Sequence, residues 1–231
     1  MFDLHIRTDS VSKNYLLGEV EVKAVRGISI ELASGEMVAF SGPSGAGKST
    51  LLSLIGGLEA PDEGHVYAGD QDLAALGSEG LAMYRRHSVG FIFQSFRLLP
   101  ALTAFENVMM PLVPLPEREA AKSEKVVAAL EKVIIAHRAK HLPGELSGGE
   151  QQRVAIARAI VNEPGIIIAD EPTGELDSDN GERIMALLRD LNESGEATVL
   201  LASHDPEVVA SASRLIRIVD GQIESDETKE A

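Results

Sequence analysis

The apolar run EMVAFS at 36–41 leads without a break into GPSGAGKST at 42–50 and then into LLSLI. The middle segment fits the G-x-x-x-x-G-K-[ST] loop, whose glycines let backbone N–H groups close around phosphate oxygens while Lys48 and the Ser49 hydroxyl serve phosphate and a divalent cation. That chemistry needs a strand, a loop and a helix in this order, because the helix N-terminus adds its partial positive charge beneath the phosphates. The sequence predicts all three, with a strand over 36–41 and a helix over 48–55. A second glycine-rich element, LSGGE at 146–150, follows about a hundred residues later. There Ser147, Gly148 and Gly149 open a helix, and their N–H groups are expected to form a second anion site. A monomer holding one triphosphate has no evident use for two such cradles.

Around these motifs the pattern alternates between strand and helix. Strands are expected at 27–32, 88–94, 165–169, 197–202 and 214–219, with the wholly apolar 165–169 buried on both faces as in a parallel sheet. Helices are expected at 148–161 and 179–193. The stretch 69–142 is mainly helix-like, and Val126, Val127, Leu130, Val133 and Ile134 follow the spacing of one buried helical face. Pro100, Pro111, Pro114 and Pro116 punctuate the segment before it. The ending ESDETKEA is expected to fray. The fold class is therefore α/β. At 231 residues the chain can bury one core with a smaller lobe, and a single nucleotide site is expected.

Composition narrows the partners. Thirty-six acidic against 21 basic residues give a net charge of −15, which opposes contact with nucleic acid or anionic lipid. The chain has no cysteine, hence no disulfide framework and no thiolate chemistry. The N-terminus MFDLHIRTDS lacks a basic and then apolar leader, and no stretch approaches the ~20 apolar residues that span a bilayer. The chain is expected to stay on the side of the membrane where it is made, without direct membrane insertion. His137 and His141 have a zinc-like spacing, but no glutamate follows the first and Pro143 breaks the segment, so zinc is set aside.

The strand at 165–169 ends in Asp170-Glu171, two carboxylates beside the phosphate loop. The first is suited to hold Mg²⁺ through its water shell, the second to orient or deprotonate the water that attacks the terminal phosphate.

With these motifs in order over nearly the whole chain, the sequence resembles the nucleotide-binding subunit of an ATP-binding cassette (ABC) transporter. The resemblance implies a P-loop NTPase core of the ABC ATPase type, at about 1–93 and 162–222, with an antiparallel β edge. A helical lobe would occupy about 94–161 and an acidic tail 223–231. It implies ATP and Mg²⁺ as ligands. Tyr15 would stack on adenine, and Gly42, Pro43, Ser44, Gly45, Ala46, Gly47, Lys48, Ser49 and Thr50 would wrap the phosphates. Ser147, Gly148, Gly149 and Glu150 would form the signature, and Asp177 would face the dimer partner. Glu171, His204 and Gln94 would be catalytic, with His204 on the γ-phosphate, and Ser49, Gln94 and Asp170 would serve the metal. On the residues alone, Tyr15 is equally an exposed strand residue, Gln94 a polar strand end, His204 a structural histidine and Asp177 a helix cap.

The family further implies a homodimer formed on ATP binding, the signature of one chain covering the ATP held by the other. The segments VGFIFQSFRLLPALTAFENVMMPL and DEPTGELD are similar to the branch of lipoprotein-releasing, macrolide-exporting and cell-division ATPases. That branch implies a separate integral membrane permease of the LolC/LolE or MacB-like type, and a location on the cytoplasmic face of the membrane through it. Phe96, Leu98, Leu99 and Phe105 are expected to dock that permease, though each is equally suited to the core. Glu175 and Ser203 depart from the family pattern, where a neutral residue and a threonine are usual. A soluble ABC-type ATPase and an envelope-signalling ATPase without transport are the alternative readings.

Overall fold

The computed structural model describes residues 5–18, 20–195 and 197–229. Its centre is a six-stranded sheet in the order β10-β9-β3-β8-β7-β6, built from β3 (Met37–Ser41), β6 (Val89–Phe93), β7 (Ile166–Asp170), β8 (Thr198–Ala202), β9 (Arg214–Val219) and β10 (Gln222–Thr228). All neighbours are parallel except β10 on β9. The central strands read MVAF, IIIA and TVLLA and are buried residue after residue, as strands covered on both faces must be. The pleat then sorts them between two cores. Met37, Ala39, Ile167, Ala169, Val199 and Leu201 face one cluster, whereas Val38, Phe40, Ile166, Ile168, Leu200 and Ala202 face the other.

The first cluster is closed by α3 (Ala104–Met109), α4 (Glu119–Lys132), α5 (Gly148–Ile160) and α6 (Ser178–Glu193). The second is closed by α1 (Lys48–Ile55), α2 (Ser78–Ser88) and a four-stranded antiparallel sheet, order β2-β1-β4-β5. Its strands are β1 (Ile6–Leu17), β2 (Val20–Leu32), β4 (Glu63–Ala68) and β5 (Gln71–Asp72). A short α7 (Pro206–Ala210) precedes β9.

Two expectations are corrected. The acidic ending does not fray through its length, because 222–228 form β10 and Arg214 pins it. The Arg214 guanidinium donates to Asp226 from Nε at 2.8 Å and from a terminal nitrogen at 2.7 Å, and also reaches Glu36 at 3.2 Å and the Glu31 carbonyl at 2.8 Å. Arg217 pairs with Glu224 on the same ladder. The helical stripe near 126–134 is also narrower than expected. Val126, Leu130 and Val133 are buried, but Val127 and Ile134 are exposed. The helix stops at Lys132, and Ile134 lies beyond it in the left-handed region at φ 59°, which turns its side chain outward.

Candidate functional site

Sheet register assembles the site. Phe40 on β3 pairs with Ala202 on β8, Ala202 with Asp170 on β7, and Asp170 with Phe93 on β6. The residues at or one step past this row are therefore Ser41, Ser203, Glu171 and Gln94, all at the carboxyl edge of a parallel sheet, where open α/β folds bind ligands. The glycine loop leaves β3 here. Gly47 caps α1 at φ 102° and Gly42 lies at φ 144°. A Cβ on Gly47 would collide with the Ala24 carbonyl, and one on Gly42 with that of Ile218. Only glycine permits this loop to be backed so closely by β2 and the end of β9.

Lys48 is buried, and its ammonium donates to the carbonyls of Gly42 at 2.8 Å and Pro43 at 3.0 Å, folding over the loop that it closes. The Ser49 hydroxyl donates to Asp170 Oδ1 at 2.8 Å across the intervening β8. Burial raises the Asp170 carboxyl above its usual range, Ser49 and Lys48 pull it down, and the adjacent Glu171 pushes it up. Glu171 accepts from Ser203 Oγ at 3.2 Å through one oxygen, and its other oxygen lies 2.8 Å from His204 Nδ1. His204, expected at the phosphate, is thus placed on Glu171, with its ring 75% exposed toward the open edge. Gln94 is exposed, and its amide nitrogen lies 2.9 Å from where a Cβ of Gly174 would stand, so it packs on the turn after Glu171.

Tyr15 is half-buried on β1 and donates its hydroxyl to Glu59 at 2.7 Å. Burial and then Glu59 raise its phenol, while Thr50 at the end of the glycine loop opposes them. Thr50 thereby marks how near Tyr15 stands to that loop. The neighbouring Lys13 ammonium lies 5.9 Å from the Tyr15 ring centroid.

LSGGE is a capping box. Ser147 Oγ accepts from the Glu150 N–H, and Glu150 accepts from the Ser147 N–H at 2.8 Å. The Ser147 N–H, expected among the anion donors, is therefore occupied by Glu150, and the first-turn N–H groups of Gly148 and Gly149 lie outside the intrahelical ladder. Arg138 holds Glu150 from the other side at 2.8 Å. A Cβ on Gly149 would stand 2.8 Å from Asn180, which fixes the signature against the first turn of α6. Asp177 caps that helix, accepting from the N–H and the side-chain amide of Asn180, both at 2.9 Å. Glu175 is exposed on the loop leading to it.

Two α5 residues went unread in the sequence. Gln152 Nε2 donates to the Pro172 carbonyl at 2.6 Å, and Arg158 donates to the carbonyls of Phe96 at 2.8 Å and Arg97 at 2.6 Å. The only sequence signal for either was a polar residue on a helix whose other inward positions are aliphatic. Among the expected docking residues, Phe96 is buried and Leu98 and Phe105 pack against the core. Leu99 remains 44% exposed, near Met110 and Val113 in the chain. A cavity of about 1620 Å³ near His87, Gly165 and Ala197 lies at the opposite end of the sheet from the glycine loop and shares no residue with the motifs. The converging side chains, rather than cavity size, locate the chemistry.

The sequence profile of the ABC transporter family matches residues 25–174. The chain is an ATP-binding cassette of the ABC transporter family. Over 95% of its length the cassette is 46% identical to an uncharacterized ABC transporter ATP-binding protein of Thermotoga maritima, covering 93% of that protein. It is 44% identical to MJ0796 of Methanocaldococcus jannaschii, over 96% of each chain. It is also 44% identical to the macrolide export ATP-binding/permease protein MacB of Bdellovibrio bacteriovorus, but spans only 34% of that protein. The dimeric structure of MJ0796 superposes with a TM-score of 0.91 at 41% identity, covering 98% of this chain and 99% of that one. A second dimeric MJ0796 structure, in a post-hydrolysis state with ADP and phosphate, gives 0.90 at 40% identity over the same shares. Among the described residues, no helix is long and apolar enough to cross a membrane.

Proposed function

We propose that this cassette binds ATP together with Mg²⁺, closes on a second copy of itself and hydrolyses the nucleotide to drive a membrane permease. The observation that carries the reading is the meeting of Lys48, Ser49, Asp170, Glu171 and Gln94 at one sheet edge, with Ser49 and Asp170 2.8 Å apart. The Ser49 hydroxyl and the half-buried Asp170 carboxylate are hard oxygen donors of the kind Mg²⁺ takes. When bound, the ion would neutralise charge on the phosphate oxygens.

The roles of this chain's residues follow from their places. The glycine-loop N–H groups and Lys48 hold the phosphates, and Tyr15 stacks on the base. Glu171 takes the proton of the attacking water, with Ser203 orienting its carboxylate. Gln94 senses the metal and that water, and in the closed dimer His204 turns to the terminal phosphate. Ser147, Gly148, Gly149 and Asp177 face the nucleotide of the partner copy. The two dimeric structures of one relative, MJ0796, support the pairing. We assign a core to about 1–93 and 162–222, its sheet completed by β10, and a helical lobe to about 94–161.

The permease is of the MacB-like or lipoprotein-releasing kind, with few spans and a large domain outside the membrane. The cassette then sits on the cytoplasmic face. The MacB relatives, named as ATP-binding/permease proteins, support this branch. Leu99, Met110 and Val113, exposed after Gln94, are the surface we assign to it.

Glu171→Gln tests both halves. This variant should bind ATP, stay dimeric and hydrolyse at least about a hundredfold more slowly, the usual worth of a general base. Wild-type turnover would overturn the assignment. Tagged, locked with Mg-ATP and recovered from gently solubilised membranes, it should carry with it a permease with a large external domain, identified by mass spectrometry. Recovery of soluble proteins alone would replace the permease reading with that of a soluble ATPase.

A further inference from the structure

Glu171 stands in a conformation that its sequence disfavours twice. Its φ is 49°, in the left-handed region, although it has a side chain. It also precedes Pro172, and a residue before proline is driven by the ring toward extended backbone. Such a conformation persists only where the surroundings over-determine it. Two of the restraints come from the sheet edge and the turn itself. The Glu171 N–H donates to the Ala202 carbonyl at 2.9 Å, and its carbonyl accepts from the Gly174 N–H at 3.1 Å. Pro172 has no N–H to offer, and its carbonyl is held from outside by Gln152 on α5, at 2.6 Å.

Gln152 is a costly choice for packing alone. The residue is fully buried, and its Oε1 has no hydrogen-bond partner among the described residues. A methionine or leucine would fill the same space without an unsatisfied acceptor. What the amide supplies is the donor. Its position on α5 gives that donor a further meaning, because Ser147, the cap of the same helix, lies five residues earlier, ~7.5 Å along a rigid rod. The far part of the rod carries Arg158, whose guanidinium holds the carbonyls of Phe96 and Arg97, two more left-handed residues just beyond Gln94.

We propose that Gln152 is a positioning residue for the water-activating carboxylate, tying the signature helix to the strained Glu171–Pro172 turn so that engagement at Ser147 sets where Glu171 points. This rests on the reading of Glu171 as general base. Binding of ATP in the glycine loop of the same chain does not pass through this link.

The test is Gln152→Met, which keeps length and burial and removes the donor. Its kcat should fall by about a hundredfold, the cost of misplacing a reacting group by an ångström, with KM for ATP changed less than about twofold. The ATP midpoint for dimerisation, measured with Glu171→Gln added to stop turnover, and the melting temperature should match those of Glu171→Gln alone. A wild-type kcat overturns the proposal. So does a loss of kcat accompanied by equal losses in dimerisation and thermal stability, which is what a purely structural residue gives. If Gln152→Met does not fold, Gln152→Leu is read by the same criteria, and failure of both to fold also counts against it. The parent reading is tested separately, since Glu171→Gln with full turnover sinks the base assignment. Glu171→Gln inactive beside a fully active Gln152→Met sinks only the role of Gln152.

Discussion

Glu150 shows how one side chain can serve a helix end and a motif together. Its carboxylate closes the capping box on Ser147 and meets Arg138. The Ser147 N–H first, and then Arg138, hold its carboxyl below the usual range despite some desolvation. Because the folded value is depressed, the charged form contributes stability that is present above the ordinary value of 4.5 and is lost as the pH falls through the folded value. Glutamine can keep the box but not the charge pair. We therefore expect Glu150→Gln to lower stability by about 0.5 kcal/mol at neutral pH. Urea unfolding of both proteins in buffers of descending pH should show this gap closing in the acid range, and a gap that persists there would show that the charge is not its cause. At the same scale, motif spacing identified Lys48, Ser49, Asp170 and Glu171, because phosphate chemistry restricts residue type. It gave no hint that His204 Nδ1 would rest on Glu171 or that Glu150 would occupy the Ser147 N–H, since both depend on atoms brought together by other elements.

The β10 strand illustrates the limits of local pattern among whole elements. ESDET is exposed at most positions and has few strand-forming residues, so nothing in it announces a strand. It is fixed by pairing with β9 and by the Arg214 guanidinium, whose proton is held more tightly than usual by Asp226. Arg214→Ala should cost about 2 kcal/mol, in the range of hydrogen bonds to charged groups. The melting temperature should drop by several degrees, and amide exchange should accelerate selectively along 222–228. Uniform exchange at unchanged stability would contradict the pinning role. The same limit applies to β1, β4 and β5, which were expected only as the antiparallel edge that the family resemblance implies, without residue bounds. β1 carries three register shifts against β2, so its side chains do not alternate cleanly enough to be recognised. The central strands were legible because burial on both faces demands continuous apolar runs.

Across the whole molecule, the exposed Glu175 lies between the turn after Glu171 and the Asp177 cap, on the edge that we assign to the partner copy. Two such carboxylates brought to a shared interface repel, so Glu175→Asn should lower the ATP concentration for half-dimerisation by about two- to threefold at low ionic strength. The difference should fade as salt is added, by light scattering or analytical ultracentrifugation. An unchanged midpoint would remove the repulsion and leave Glu175 a solvated surface charge. The sequence by itself determined the α/β class, the βα unit around 42–50, the two carboxylates after β7 and membership in a family, because phosphate binding and double-sided burial restrict residue type at fixed local spacing. Tertiary structure alone decided which residues stand beside them. Gln152 and Pro172 are 20 positions apart in sequence, Ser49 and Asp170 are 121, and Arg214 and Glu36 are 178. Those pairs meet because parallel strands align their carboxyl edges and α5 packs across them, and such non-local geometry leaves no trace in the local pattern of hydrophobic and polar residues.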